Sequence, residues 1–142
     1  MAHTRPTLCL QLAGHLGRGR LRRSAYEEKI RGFFLGVHTH EDEEIRYILS
    51  GSGFFDVRET PTDAWIRFAV APGDLLVLPA GIYHRFALDT RDQIRVSLRL
   101  FKDGRKWIPH TRSARTDANV HRVGCLRDID AGIVPAVGAV GA

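Results

Sequence analysis

From residue 37 onward the apolar positions read as short strands parted by turn residues. A five-residue β-rich run at 45–49 is closed by Gly51-Ser52-Gly53. Further runs follow at 54–58, 65–70, 75–78 and 82–88. They are separated by a polar, proline-containing loop at 59–63, by Pro72-Gly73-Asp74 and by the Pro79-Ala80-Gly81 turn. Over 94–101, Ile94, Val96, Leu98 and Leu100 alternate with Arg95, Ser97 and Arg99. Six or more short strands with turn signals at this spacing predict an all-β sandwich or barrel.

The flanks are less patterned. Residues 26–34 fit a short helix or a first strand, and periodicity does not separate the two. After Trp107-Ile108-Pro109, residues 110–130 are polar and Arg-rich with little period, and 131–142 are small and apolar. Together they read as a tail, and 131–142 lies at the terminus, where disorder concentrates. No internal repeat is present. The expected organisation is a leader at 1–25, a barrel at 26–109 and a tail at 110–142. A chain of 142 residues suits one domain, which buries about 68–70% of its unfolded surface.

Charge sharpens this division. The net charge of +5 comes from Arg5, Arg18, Arg20, Arg22 and Arg23, in a stretch (1–24) without a single acid, and the remainder is balanced. A nucleic-acid partner is therefore not expected, since the basic excess is confined to the leader. An Arg-rich, acid-poor start suggests a transit peptide, but such peptides are Ser-rich. Here only Ser24, Thr4 and Thr7 occur, so an unstructured start is expected. No apolar run approaches the ~18–20 residues of a membrane span. Cys9 and Cys125 lie far apart in segments that read as peripheral and form no metal motif. A reduced, intracellular protein is the expectation.

The chemistry lies in two stretches. Residues 32–51, GFFLGVHTHEDEEIRYILSG, hold His38, His40 and Glu44, and residues 73–84, GDLLVLPAGIYH, add His84 after a tight turn. On a strand, His38 and His40 share a face, and Glu44 keeps their parity. A barrel could bring His84 across its interior. Three imidazoles and a carboxylate suit Fe(II), Ni, Mn, Zn or Cu, and leave open positions on a six-coordinate ion. A His-x-His pair alone is more often surface or satisfied core. The combined spacing is different: Gly-x5-His-x-His-x3-Glu-x6-Gly, then Gly-x5-Pro-x-Gly-x2-His, matches both halves of the cupin signature. The signature's trailing Asn is Leu88 here.

The wider text, HTHEDEEIRYILSGSGFFDVR, GDLLVLPAGIYHRFALD, RLF and KWIP, resembles the acireductone dioxygenases of methionine salvage, particularly the eukaryotic type. The likeness covers about 26–109, with fainter similarity to about Leu126. It implies a cupin (double-stranded β-helix, or jelly-roll) barrel with one Fe(II) or Ni(II) per chain held by His38, His40, Glu44 and His84. It implies a cytoplasmic location, with a nuclear one besides, and a monomer acting on a small molecule and O2, with neither nucleic acid nor membrane as partner. The substrate would be 1,2-dihydroxy-5-(methylthio)pent-1-en-3-one. With Fe(II) the family yields 4-methylthio-2-oxobutanoate and formate; with Ni(II) it yields methylthiopropanoate, formate and carbon monoxide. Family members carry strands and helix before the first histidine that the first 25 residues do not resemble, so some N-terminal strands are expected to be missing and a sheet edge uncovered. His3, His15, His110 and His121 match no ligand position.

Two further residues fit catalysis. Arg46 shares parity with Glu44, and a fixed cation there would stabilise an enediolate; the alternative is an exterior strand arginine. Phe86 follows His84 by two and would wall the pocket beside the metal, or simply fill the barrel. Phe54, Phe55, Tyr47 and Trp65 read as packing, and Glu41, Asp42 and Glu43 as a solvated bend. Two other functions share the ligands. An inactive, truncated or structural-metal cupin would show no oxygen uptake with the enediol. Another metal-dependent cupin dioxygenase or isomerase would lack the DEEIRYIL and PAGIYHRF context.

Overall fold

The computed structural model describes residues 11–13, 28, 36–89, 91, 94, 96–101 and 108–133. Nine strands are described: β1 (Gln11–Ala13), β2 (His38–Thr39), β3 (Glu44–Ser50), β4 (Gly53–Arg58), β5 (Trp65–Val70), β6 (Leu75–Leu78), β7 (His84–Leu88), β8 (Val96–Leu100) and β9 (His110–Thr111). Two helices follow, α1 (Ala114–Asp117) and α2 (Val120–Asp130). The strands form a four-stranded sheet, β1-β8-β3-β6, and a five-stranded sheet, β5-β4-β7-β2-β9. Every pairing is antiparallel. The all-β architecture expected from the pattern is present, as two facing sheets.

The core lies between the sheets. Ile48, Leu76 and Leu78 come from the four-stranded sheet, and Phe55, Val57, Val70 and Phe86 from the five-stranded one. The period of two decides these choices. On β3, Glu44, Arg46 and Ile48 are buried, whereas Leu49 is 46% exposed. Gly53 belongs to this packing, because a Cβ there would meet the Phe86 ring at 2.5 Å. The space of the missing side chain is filled by an aromatic that stands edge-on to Phe55, with centroids 5.3 Å apart. The opposite face of the five-stranded sheet is polar. There Asp56, 1% exposed, takes hydrogen bonds from Arg67 Nε and Nη2 (2.7 and 2.9 Å) and from Arg85 Nε (3.0 Å). Arg58 and Arg85 stack on Trp65.

The flanks depart from expectation. The leader was expected to be unstructured, yet Gln11–Ala13 pairs with β8, from Gln11 opposite Arg99 to Ala13 opposite Ser97. An edge strand offers a row of unpaired N–H and C=O groups, and β1 supplies partners for those of β8. Residues 110–130 were expected to be a patternless tail, but they form β9, α1 and α2. The signals are caps rather than periodicity: Ser113 and Thr116 form a capping box, and the Asn119 side chain accepts from His121 N–H. Cys125 was expected to be peripheral. It is buried, 7% exposed, and joins the core with Ile129 alongside. Cys9, nearly all of 26–34 and the segment 134–142 lie outside the described residues. No helix among the described residues is long and apolar enough to cross a membrane.

Burial predicts a contrast between two truncations. Val70→Ala, at a position 1% exposed, should lower unfolding free energy by about 2 kcal/mol. Leu49→Ala on the outer face should stay within about 0.5 kcal/mol of wild type. Urea unfolding followed by circular dichroism checks both, and equal losses would contradict the assignment of the core.

Candidate metal centre

Three neighbouring segments converge at one end of the space between the sheets. β2 and β7 pair so that His38 stands directly opposite His84. β3, in the other sheet, presents Glu44 toward them. His40 follows β2, and the bend at 41–43 turns the chain into β3. The ligating atoms of His38, His40, Glu44 and His84 all lie within 4.8 Å of one another, and all four residues are buried. Their exposures run from 2 to 6%. The ring centroids of His38 and His84 are 4.4 Å apart, and those of His40 lie 5.0 and 5.3 Å from them.

The orientation of each ring follows from its second nitrogen. His38 Nδ1 lies 2.7 Å from the Gly36 carbonyl, His40 Nδ1 2.9 Å from the Ile108 carbonyl, and His84 Nδ1 3.1 Å from the Ile82 carbonyl. A carbonyl can only accept, so each Nδ1 carries hydrogen and donates. In the neutral ring, Nε2 then holds a lone pair. Glu44 Oε2 sits 2.9 Å from His40 Nε2 and 3.2 Å from His84 Nε2. Lone pairs and a carboxylate facing one another at such distances repel unless a cation lies among them. The donor set therefore fits a divalent ion. Backbone carbonyls that fix the imidazole tautomer are the usual partners of metal-bound histidines.

Electrostatics point the same way. Burial by itself would raise the Glu44 pKa, but the charge of the adjacent Arg46 guanidinium opposes it. The carboxyl is held well below its ordinary range. Burial, reinforced by the adjacent His84, lowers His38 from 6.5 to about 4. It is thus a neutral ligand at physiological pH. Arg46, 3% exposed, donates from Nε to Glu44 Oε1 at 2.6 Å. Its exterior alternative is thereby excluded. Phe86 is buried against Phe55, inside, as both readings of it required.

One charged residue of this region escaped the sequence reading. Arg99 stands opposite Arg46 across the β3–β8 ladder and is only 9% exposed. Burial and the neighbouring Arg46 push its pKa down to about 9, which still leaves it charged at neutral pH. The alternation over 94–101 contained the signal. On β8 the polar set, Ser97 and Arg99, is the buried one, while Leu98 and Leu100 are half-buried. His110 and His121 remain outside the cluster, and His3 and His15 are not among the described residues. A separate cleft of about 300 Å³ lies between α2 and the Pro79-Ala80 turn; it is lined by Glu43, His121 and Cys125 among others and contains none of the four donors.

Residues 20–109 match the model of the ARD/ARD' family. The chain belongs to that family. It is 60% identical over 108 residues to acireductone dioxygenase 1 of Coprinopsis cinerea, which covers 76% of this chain and 60% of that one. It is 52% identical over 97 residues to the acireductone dioxygenase of Tuber melanosporum, covering 68% and 54%. A solved acireductone dioxygenase from Bacillus anthracis, with a cadmium ion in its active centre, shares 31% identity over 58% of this chain and 46% of that one, with a TM-score of 0.51. The present ARD/ARD' chain spans about 60% or less of the length of the relatives it matches.

Acid should weaken the metal-free protein. His38 has a folded pKa below its unfolded value, so its contribution is complete above pH 6.5 and is lost as pH falls toward 4. The depressed Glu44 acts in the same direction at lower pH: its contribution is present above 4.5 and fades below it. Unfolding free energy should therefore drop between pH 7 and 4, with about 3 kcal/mol as the upper bound for His38. Urea titrations of wild type and His38→Gln check this, since the variant should lose the upper part of the pH dependence. A wild-type profile flat from pH 7 to 4 would contradict it.

Proposed function

We propose that this chain is a metal-dependent acireductone dioxygenase, with 26–109 as its metal-binding unit. The observation that carries the reading is the convergence of His38, His40, Glu44 and His84 within 4.8 Å, in a buried setting beside Arg46. The names of its relatives support the reaction. The substrate is the enediol 1,2-dihydroxy-5-(methylthio)pent-1-en-3-one, cleaved with O2. The iron form releases 4-methylthio-2-oxobutanoate and formate. The nickel form releases methylthiopropanoate, formate and carbon monoxide.

The three Nε2 atoms and the Glu44 carboxylate would hold Fe(II) or Ni(II), which would supply a Lewis acid and a template for the substrate. The remaining chemistry belongs to side chains. Arg46 and Arg99 place two buried guanidiniums beside one carboxylate, so the site carries an excess of fixed positive charge suited to a deprotonated enediol. A guanidinium has five N–H donors, so a bond to Glu44 is compatible with a contact to an anion. Phe86, two positions after His84 and buried against Phe55, would add apolar surface on that side of the site. Glu44, held as a carboxylate, takes no part as a proton donor at neutral pH.

His84→Ala should remove most bound iron or nickel while leaving the β-rich circular dichroism intact; metal analysis that still found one equivalent would contradict the ligand set. Metal-free protein reloaded with Fe(II) should form the oxo acid without carbon monoxide, and with Ni(II) it should release carbon monoxide. Arg46→Ala should retain metal at saturating concentration yet lose about 10²-fold in kcat/KM with either ion. Full metal occupancy with no oxygen uptake in either form would favour the binding-only alternative.

A further inference from the structure

Residues 108–122 touch each segment that carries a candidate ligand. The Ile108 carbonyl accepts from His40 Nδ1 at 2.9 Å. β9 pairs with β2, placing Thr111 opposite His38, and Arg112 N–H donates to the Val37 carbonyl. Asn119 Nδ2 donates to Glu41 Oε1 in the bend between His40 and Glu44. The most closely built contact concerns Tyr83, the residue just before His84. Tyr83 is fully buried, and its single hydroxyl hydrogen lies between Thr116 Oγ1 (2.7 Å) and Asp117 Oδ1 (2.8 Å) of α1. Arg122 of α2 stacks on its ring at 4.5 Å and donates to the Gly81 carbonyl at 3.3 Å.

The turn before Tyr83 is fitted to the same helix. Gly81 has φ +83, a conformation that L side chains rarely adopt, and a Cβ there would lie 2.2 Å from the His121 carbonyl oxygen. Its N–H donates to the His40 carbonyl at 2.9 Å. The turn is thus held on one side by a ligand-bearing segment and on the other by α2. Tyr83 and His84 are consecutive, so anchoring the phenol restricts the backbone from which His84 projects.

We infer that residues 108–122 act as a clasp that presets the metal centre, and that Tyr83 is its principal positioning residue, holding His84 through Thr116 and Asp117. The inference deepens the metal reading above and rests on it. Groups that orient a ligand typically alter metal affinity by about 10–100-fold when removed. Removing the Tyr83 hydroxyl leaves the four donors in place and loosens only their approach.

The test titrates the full chain with Co(II), whose visible spectrum reports its coordination, and measures urea unfolding of each metal-free protein. Tyr83→Phe should weaken Co(II) binding about tenfold or more and change the spectrum. Asp117→Asn and Thr116→Val should weaken it by smaller factors, and they carry the test if Tyr83→Phe does not fold. Val70→Ala, in β5 and away from the clasp, should lose stability with unchanged Co(II) affinity. Wild-type affinity in Tyr83→Phe, or in both α1 variants where Tyr83→Phe does not fold, would overturn the clasp alone. An equal loss of affinity in Val70→Ala would also overturn it, by reducing it to general stability. Failure of the wild-type chain to bind Co(II) would overturn the metal reading, and the clasp with it.

Discussion

The structure depends on one buried carboxylate. Glu44 is 5% exposed, has imidazole nitrogens at 2.9 and 3.2 Å and an arginine Nε at 2.6 Å, and remains ionised. Removing a charge from water costs several kcal/mol unless partners and hydrogen bonds compensate. Arg46 supplies one compensating charge. The lone pairs of the histidines do not, because each ring has turned its hydrogen toward a backbone carbonyl. A divalent ion among the four donors would complete the balance, and metal affinity would then add to folding stability.

That requirement explains the layout around it. Antiparallel pairing of β2 with β7 brings His38 and His84 together although 46 positions separate them in sequence. The facing sheet adds Glu44 and Arg46 from alternate positions of β3. Apolar residues from both sheets fill the space beyond. Beyond Pro109, where the match to the family model ends, the chain still contributes β9 as a pairing strand for β2 and an anchor for the residue before His84.

Much of this was legible from residue spacing. The strands at 65–70 and 75–78 have the observed limits, and the four donors were identifiable because two glycine-framed stretches hold them at characteristic separations. What was not legible depends on contacts between distant segments. Arg99 resembles any polar residue of an alternating strand until the register places it opposite Arg46. Cys125 and Tyr83 owe their burial to α1 and α2, whose starts are marked by capping residues and not by an apolar period. The strand at Gln11–Ala13 is too short for a pattern, and its reason to exist is the open edge of β8.

The central claim is that one divalent ion sits among three imidazoles and a carboxylate. X-ray absorption at the metal edge of the full chain, loaded with one equivalent of Fe(II) or Ni(II), tests it most directly. The predicted spectrum has a first shell of nitrogen and oxygen donors at roughly 2.0–2.2 Å and outer-shell scattering that requires three imidazole rings. A shell of oxygen donors alone, or scattering from no more than one ring, would contradict it.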